Sequence, residues 1–138
     1  MTQEDKELLL KDLGARLSYK VVVQVSYKDG EGWKTEDRKV LGVYTDEQVY
    51  VDCVYTNIEN TKPYLRPMSS MTEEEKKEFN SLINGVEERC INAYGKGGYT
   101  LAFIEVNDWL NAHHFDYRGL IGKGLAIAVT SDNNPYNV

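Results

Sequence analysis

Apolar positions recur along this chain with two different periods, and the switch between them marks out its elements. Leu9, Leu10, Leu13 and Leu17 fall at helical spacing, which assigns Lys6, Lys11 and Asp12 to the opposite, solvent face. Thr2 supplies a hydroxyl N-cap, and Asp5 places an acid in the first turn, where the helix dipole favours negative charge. A first helix is therefore predicted from about Thr2 to Leu17, weakened near its end by Gly14.

From Lys20 the period falls to two. Val21 to Tyr27 is β-branched and aromatic, and Asp29-Gly30-Glu31-Gly32 carries the chemistry of a tight turn. Trp33 to Tyr44 reads as the return strand, Thr45-Asp46-Glu47 as a second turn and Gln48 to Tyr55 as a further strand, an antiparallel meander. Pro63 and Pro67 each remove a backbone donor, so Lys62 to Pro67 is at most an edge strand or an extended segment. Thr72 and Glu75 have capping-box spacing ahead of Phe79, Leu82 and Ile83, which predicts a second helix ending near Asn84-Gly85. Gly95 to Gly98 reads as a turn and Tyr99 to Val106 as a strand. Asn107 or Asp108 then caps a short helix from Trp109 to about Phe115, Leu125 to Val129 forms a last strand, and Ser131 to Val138 frays.

These elements describe a single α+β domain over residues 1–138. The expected architecture is an N-terminal helix, an antiparallel meander curled into a small SH3-like barrel, and further helices in the second half. A hydrophobic fraction of 41% with 28% charged residues is enough for one core and unlike a disordered chain.

The net charge of −6 disfavours nucleic acid as a partner, and there is no polybasic run to hold a membrane surface. No apolar stretch has the length of a membrane span, and the acidic N-terminus is unlike an export signal. The cytoplasm is the expected compartment. Cys53 and Cys90 are spaced for neither a zinc motif nor a disulfide framework, and Cys53 reads as a buried thiol in a strand.

Candidate chemistry is sparse. Metal-binding histidines on a helix sit one turn apart, whereas His113 and His114 are adjacent and diverge by about 100°. No metal is expected there, with Asp116 the sole further donor beside them. The glycines of Gly95-Lys96-Gly97-Gly98 and of Gly119 to Gly124 lack the P-loop pattern, and Glu73-Glu74-Glu75 is explained by the helix it opens. No cofactor and no catalytic residue is assigned.

Of ten tyrosines, those in strands are explained by sheet packing. Tyr64, Arg66, Trp109, Tyr117 and Arg118 lie outside the meander and belong to the types that dominate protein–protein hot spots. They make a non-enzymatic protein-interaction module the leading expectation. The alternative is a small-molecule or nucleotide pocket, with or without catalysis, where His113, His114, Asp116 and Arg118 converge.

Two segments carry a resemblance: Lys62-Pro63-Tyr64-Leu65-Arg66-Pro67-Met68-Ser69-Ser70-Met71-Thr72-Glu73-Glu74-Glu75, and Asp108-Trp109-Leu110-Asn111-Ala112-His113-His114-Phe115-Asp116-Tyr117-Arg118-Gly119-Leu120-Ile121. With the opening Glu4 to Leu13, they resemble uncharacterised small proteins of gut Bacteroidales and of their phages and mobile elements. The resemblance implies a bacterial or phage cytosolic setting and brings no activity, ligand or catalytic residue; the expected interaction module would be an accessory of such an element.

Overall fold

The computed structural model of the chain describes residues 1–52, 54–85 and 98–136. The readings of Cys53, Cys90 and the stretch from Val86 to Gly97 lie outside the described residues.

Helix α1 (Gln3–Arg16) starts at Thr2, whose side chain accepts from the Asp5 amide while the Asp5 carboxylate accepts from the Thr2 N–H, a capping box. Leu9 and Leu13 project from α1 into the core. They meet Val21, Val23 and Val25 of the first strand region, Val40, Val49 and Val51, and later Ile58, Leu65, Leu120 and Leu125.

Strands β1 (Val22–Asp29) and β2 (Gly32–Val43) form an antiparallel hairpin whose Asp29 pairs with Gly32. The Asp29 carboxylate accepts from the Glu31 amide and fixes the turn, and Gly32 adopts φ +128°, a conformation open to glycine. β2 then bulges between Val40 and Gly42 before pairing with β3 (Gln48–Val51). At Gly42 the absent side chain is replaced by the Tyr44 ring, which would stand 3.3 Å from an added Cβ.

The expected strand from Gln48 to Tyr55 is two strands. Asp52 takes φ 41° at a reversal, and β4 (Val54–Asn57) folds back on β3 with Tyr50 opposite Tyr55. A short 3-10 turn, Ile58–Asn60, leads into β5 (Thr61–Leu65), which pairs with β1 on one side and with β6 (Ile127–Ala128) on the other. β5 is thus not the edge strand its prolines suggested. β6 meets only Tyr64 and Leu65, so the sheet stays open beside Pro63.

The sheet order is β4-β3-β2-β1-β5-β6, antiparallel except for β5–β6. It does not close into an SH3-like barrel. The leucines of α1 fill the concavity among the strand valines, which leaves β4 and β6 as separate edges.

Helix α2 (Glu73–Asn84) has the predicted Thr72–Glu75 capping box and ends at Gly85. Helix α3 (Gly98–Ala112) replaces both the strand expected at Tyr99 to Val106 and the short helix expected after it. The local β propensity of that run is overridden by packing. Val106 and Leu110, one turn apart, are buried with Phe115, and Phe79, Leu82 and Trp109 pack around them. Residues 131–136, expected to fray, are anchored at Tyr136. Its hydroxyl accepts from the Val22 N–H at 3.1 Å and donates to the Tyr64 carbonyl at 2.8 Å, bridging β1 and β5.

Candidate functional site

The two segments that carry the resemblance meet where the loop after α3 runs beside the end of β5, and most of their residues hold the fold together. Past β5, the Arg66 N–H donates to the His114 carbonyl at 2.7 Å, and the Asp116 N–H donates to the Arg66 carbonyl at 2.8 Å. This backbone bridge stitches the loop after α3 to the end of β5. Phe115, fully buried, is its hub: the Arg66 guanidinium lies 4.3 Å from its ring centroid and Trp109 stacks at 5.7 Å.

Arg66 grips Glu75 through two bonds of 2.7 Å, from Nη1 to Oε2 and from Nη2 to Oε1. That guanidinium, helped by the Thr72 amide, holds the Glu75 carboxyl down at about 2. Trp109 is half-buried, stacks on Phe79 and on Phe115, and its Nε1 donates to Glu78. Tyr64 is buried, donating to Asp37 at 2.7 Å and accepting from Gln24. Asp116, also buried, accepts from the Leu120 and Ile121 amides at 2.9 Å each and shapes the Gly119–Gly124 turn.

Arg118 and Tyr117 join a buried charge cluster. Asp12 and Arg16 of α1 are both wholly enclosed, with Arg16 Nε 2.8 Å from Asp12 Oδ2. Arg16 Nη2 also donates to the Phe115 carbonyl at 2.6 Å. Arg118 Nε lies 3.3 Å from Asp12 Oδ1 without hydrogen-bonding geometry, and the guanidinium groups of Arg16 and Arg118 both approach the Tyr117 ring. The Tyr117 hydroxyl donates to Asn111. Asp12 is therefore not on the solvent face assigned to it. Positions 9, 12, 13 and 16 share one face, so the ion pair continues the leucine stripe, a signal present in the sequence.

His113, His114, Asp116 and Arg118 do not converge. Asp116 serves the turn and Arg118 the Asp12 cluster. His113 and His114 instead line a cleft of about 490 Å³ with Arg66, Glu75, Asn134 and Tyr136. His113 Nδ1 lies 2.8 Å from the Trp109 carbonyl. His114 has φ 62°, unusual for a residue with a side chain, and its ring lies 3.6 Å from that of Tyr136 in a parallel stack. Burial, then the positive charges of Arg16 and Arg66, pushes the His114 imidazole down to about 4. Burial raises the Tyr136 phenol to about 12.

These shifts give an acid signature. A His114 that resists protonation stabilises the fold above its unfolded value, and that contribution fades as pH falls from about 6.5 to about 4. Glu75 behaves likewise between about 4.5 and about 2. Each contributes on the order of 1–2 kcal/mol after allowance for solvent screening. Urea midpoints measured against pH should fall through both windows, and Arg66→Leu should flatten the lower one. An unchanged lower limb in that variant would show that Arg66 does not set the Glu75 carboxyl.

A second cleft, which no sequence motif signalled, opens on the part of the sheet formed by β1 to β4. It measures about 420 Å³ and is lined by Val25, Tyr27, Glu36, Arg38, Val51 and Val54, among others. Val25 and Val51 belong to the core, so the cleft exposes one end of it. Beside it β4 is an edge, with Val54 and Tyr55 59% and 58% exposed, and Trp33 at the hairpin end is 64% exposed. Among the described residues, no group of three His, Cys, Asp or Glu side chains is placed to hold a metal, and no helix is long and apolar enough to cross a membrane.

Comparison of the chain with protein-family models, with curated proteins and with solved structures finds no match in any of the three.

Proposed function

We propose that this chain is a non-enzymatic protein-interaction module, and that its docking surface is the open end of the sheet. The Trp109–Arg66 layer is a poorer candidate, because its charged and aromatic groups are already engaged with one another. The observation that carries this reading is the juxtaposition of the 420 Å³ cleft with the uncharged edge strand Val54-Tyr55-Thr56-Asn57. An unguarded edge offers a row of backbone groups to an incoming strand, and a cleft beside it can receive that strand's side chains. The resemblance noted above supports a setting as an accessory of a phage or mobile element.

The test is affinity capture of the tagged chain from its host, with mass spectrometry, in parallel with two variants. A stoichiometric partner is expected with the unaltered chain. Val54→Lys, which charges the edge and lies outside the packed layer, should reduce its recovery by about ten-fold with the melting temperature held within a few degrees. Trp33→Ala should weaken it less. Recovery of no partner, or of one indifferent to Val54→Lys, overturns the reading.

A further inference from the structure

The cleft behind the sheet has a chemistry of its own. Its volume of about 490 Å³ is within the range of small-molecule sites. Its fixed charges cancel, because Arg66 and Glu75 are joined by two bonds of 2.7 Å. A charged ligand entering there would lose hydration and gain no unpaired counter-ion.

Two further groups on its walls keep hydrogen-bonding capacity. The Trp109 carbonyl can only accept, so His113 Nδ1, 2.8 Å away, carries the hydrogen, and Nε2 is the ring atom left to accept. The Asn134 Oδ1 accepts from the Tyr136 N–H at 2.9 Å, which fixes the amide orientation and leaves Nδ2 as a donor. The His114 ring, held by a backbone at φ 62° that favours glycine, lies flat on Tyr136 at the same cleft, and its Nδ1 is buried without a hydrogen-bond partner. Ala112 adds an apolar wall.

We propose that this cleft binds a small uncharged molecule through an amide-type edge, one N–H beside one C=O, as a nucleobase or a carboxamide presents. The N–H would donate to His113 Nε2 and the C=O would accept from Asn134 Nδ2. This site is separate from the edge of β4, so its failure would leave the protein-docking reading untouched.

The test uses two pairs of probes differing in charge, uracil against orotate and propionamide against propionate, titrated into isotope-labelled protein and followed by amide NMR. Saturable shifts are expected around His113, His114 and Asn134 from an uncharged probe, with its carboxylate counterpart at least about ten-fold weaker. Binding of uracil alone assigns the edge to a nucleobase; binding of propionamide as well assigns it to a simple carboxamide. His113→Phe keeps the ring stack, and Asn134→Asp keeps the acceptor for Tyr136. Each should weaken binding by about ten-fold in protein whose far-ultraviolet circular dichroism is unchanged. No saturable shift from either uncharged probe, equal binding of the carboxylates, or indifference to both variants overturns the proposal.

Discussion

Replacing Asp12 with alanine is expected to destabilise the fold by roughly 3–5 kcal/mol. The carboxylate is fully buried and faces two guanidinium groups, Arg16 at 2.8 Å and Arg118 at 3.3 Å. Arg16 is itself wholly enclosed, with Nη1 lacking a hydrogen-bond partner. Its charge is tolerated because Asp12 and the Phe115 carbonyl lie against it, so removing the acid leaves an uncompensated buried cation. Urea unfolding monitored by circular dichroism measures the loss. The double variant Asp12→Leu with Arg16→Met should recover much of it, since apolar residues of similar size often replace a buried ion pair without penalty. A loss below about 1 kcal/mol in Asp12→Ala would show that the arginines find other partners.

The second large effect is expected at Phe115, where alanine should cost about 3–5 kcal/mol. The ring is fully buried and packs against Trp109, against His113 and beneath the Arg66 guanidinium. Truncation leaves a void between α3 and the end of β5 and takes away the platform on which Arg66 lies. Phe115→Leu, which refills most of that volume, should cost clearly less. Thermal unfolding of the two variants side by side gives the comparison, and equal losses would show that the site collapses around either side chain.

Local signals in the sequence were enough wherever one turn of chain decided the structure. The Thr2 N-cap, the Thr72–Glu75 capping box and the turn at Asp29–Gly32 are contained within a few residues and form as expected. Helix α3 was not legible, because Tyr99 to Val106 is rich in β-branched and aromatic residues. Its helical form rests on Val106, Trp109 and Leu110 packing with Phe79 and Leu82 of α2. Barrel closure failed as an expectation for a related reason: strand spacing says nothing about whether a helix will fill the concavity first.

The candidate residues show the same limit. Residue type marked Trp109, Arg66 and Arg118 as candidates for binding, yet type cannot reveal that Glu78, Glu75 and Asp12 lie against them. Nor does any local pattern bring His114 to Tyr136, or the Tyr136 hydroxyl between β1 and β5. Asp12 is the exception. It was assigned to the solvent face, although its spacing to Leu9, Leu13 and Arg16 already puts it on the buried one.

The bond from Arg16 to the Phe115 carbonyl spans 99 residues of chain, which ties the enclosure of α1 to a stretch made much later. During synthesis α1 and the β1–β4 meander emerge before the layer that encloses Arg16 and Asp12. Leu120 and Leu125, which complete the core, follow that meander by more than sixty residues. Contacts so distant in sequence slow the search for the native state, and the β4 edge belongs to the stretch made before they can form. The surface proposed for docking is then also the one most in need of shelter while the protein is being made.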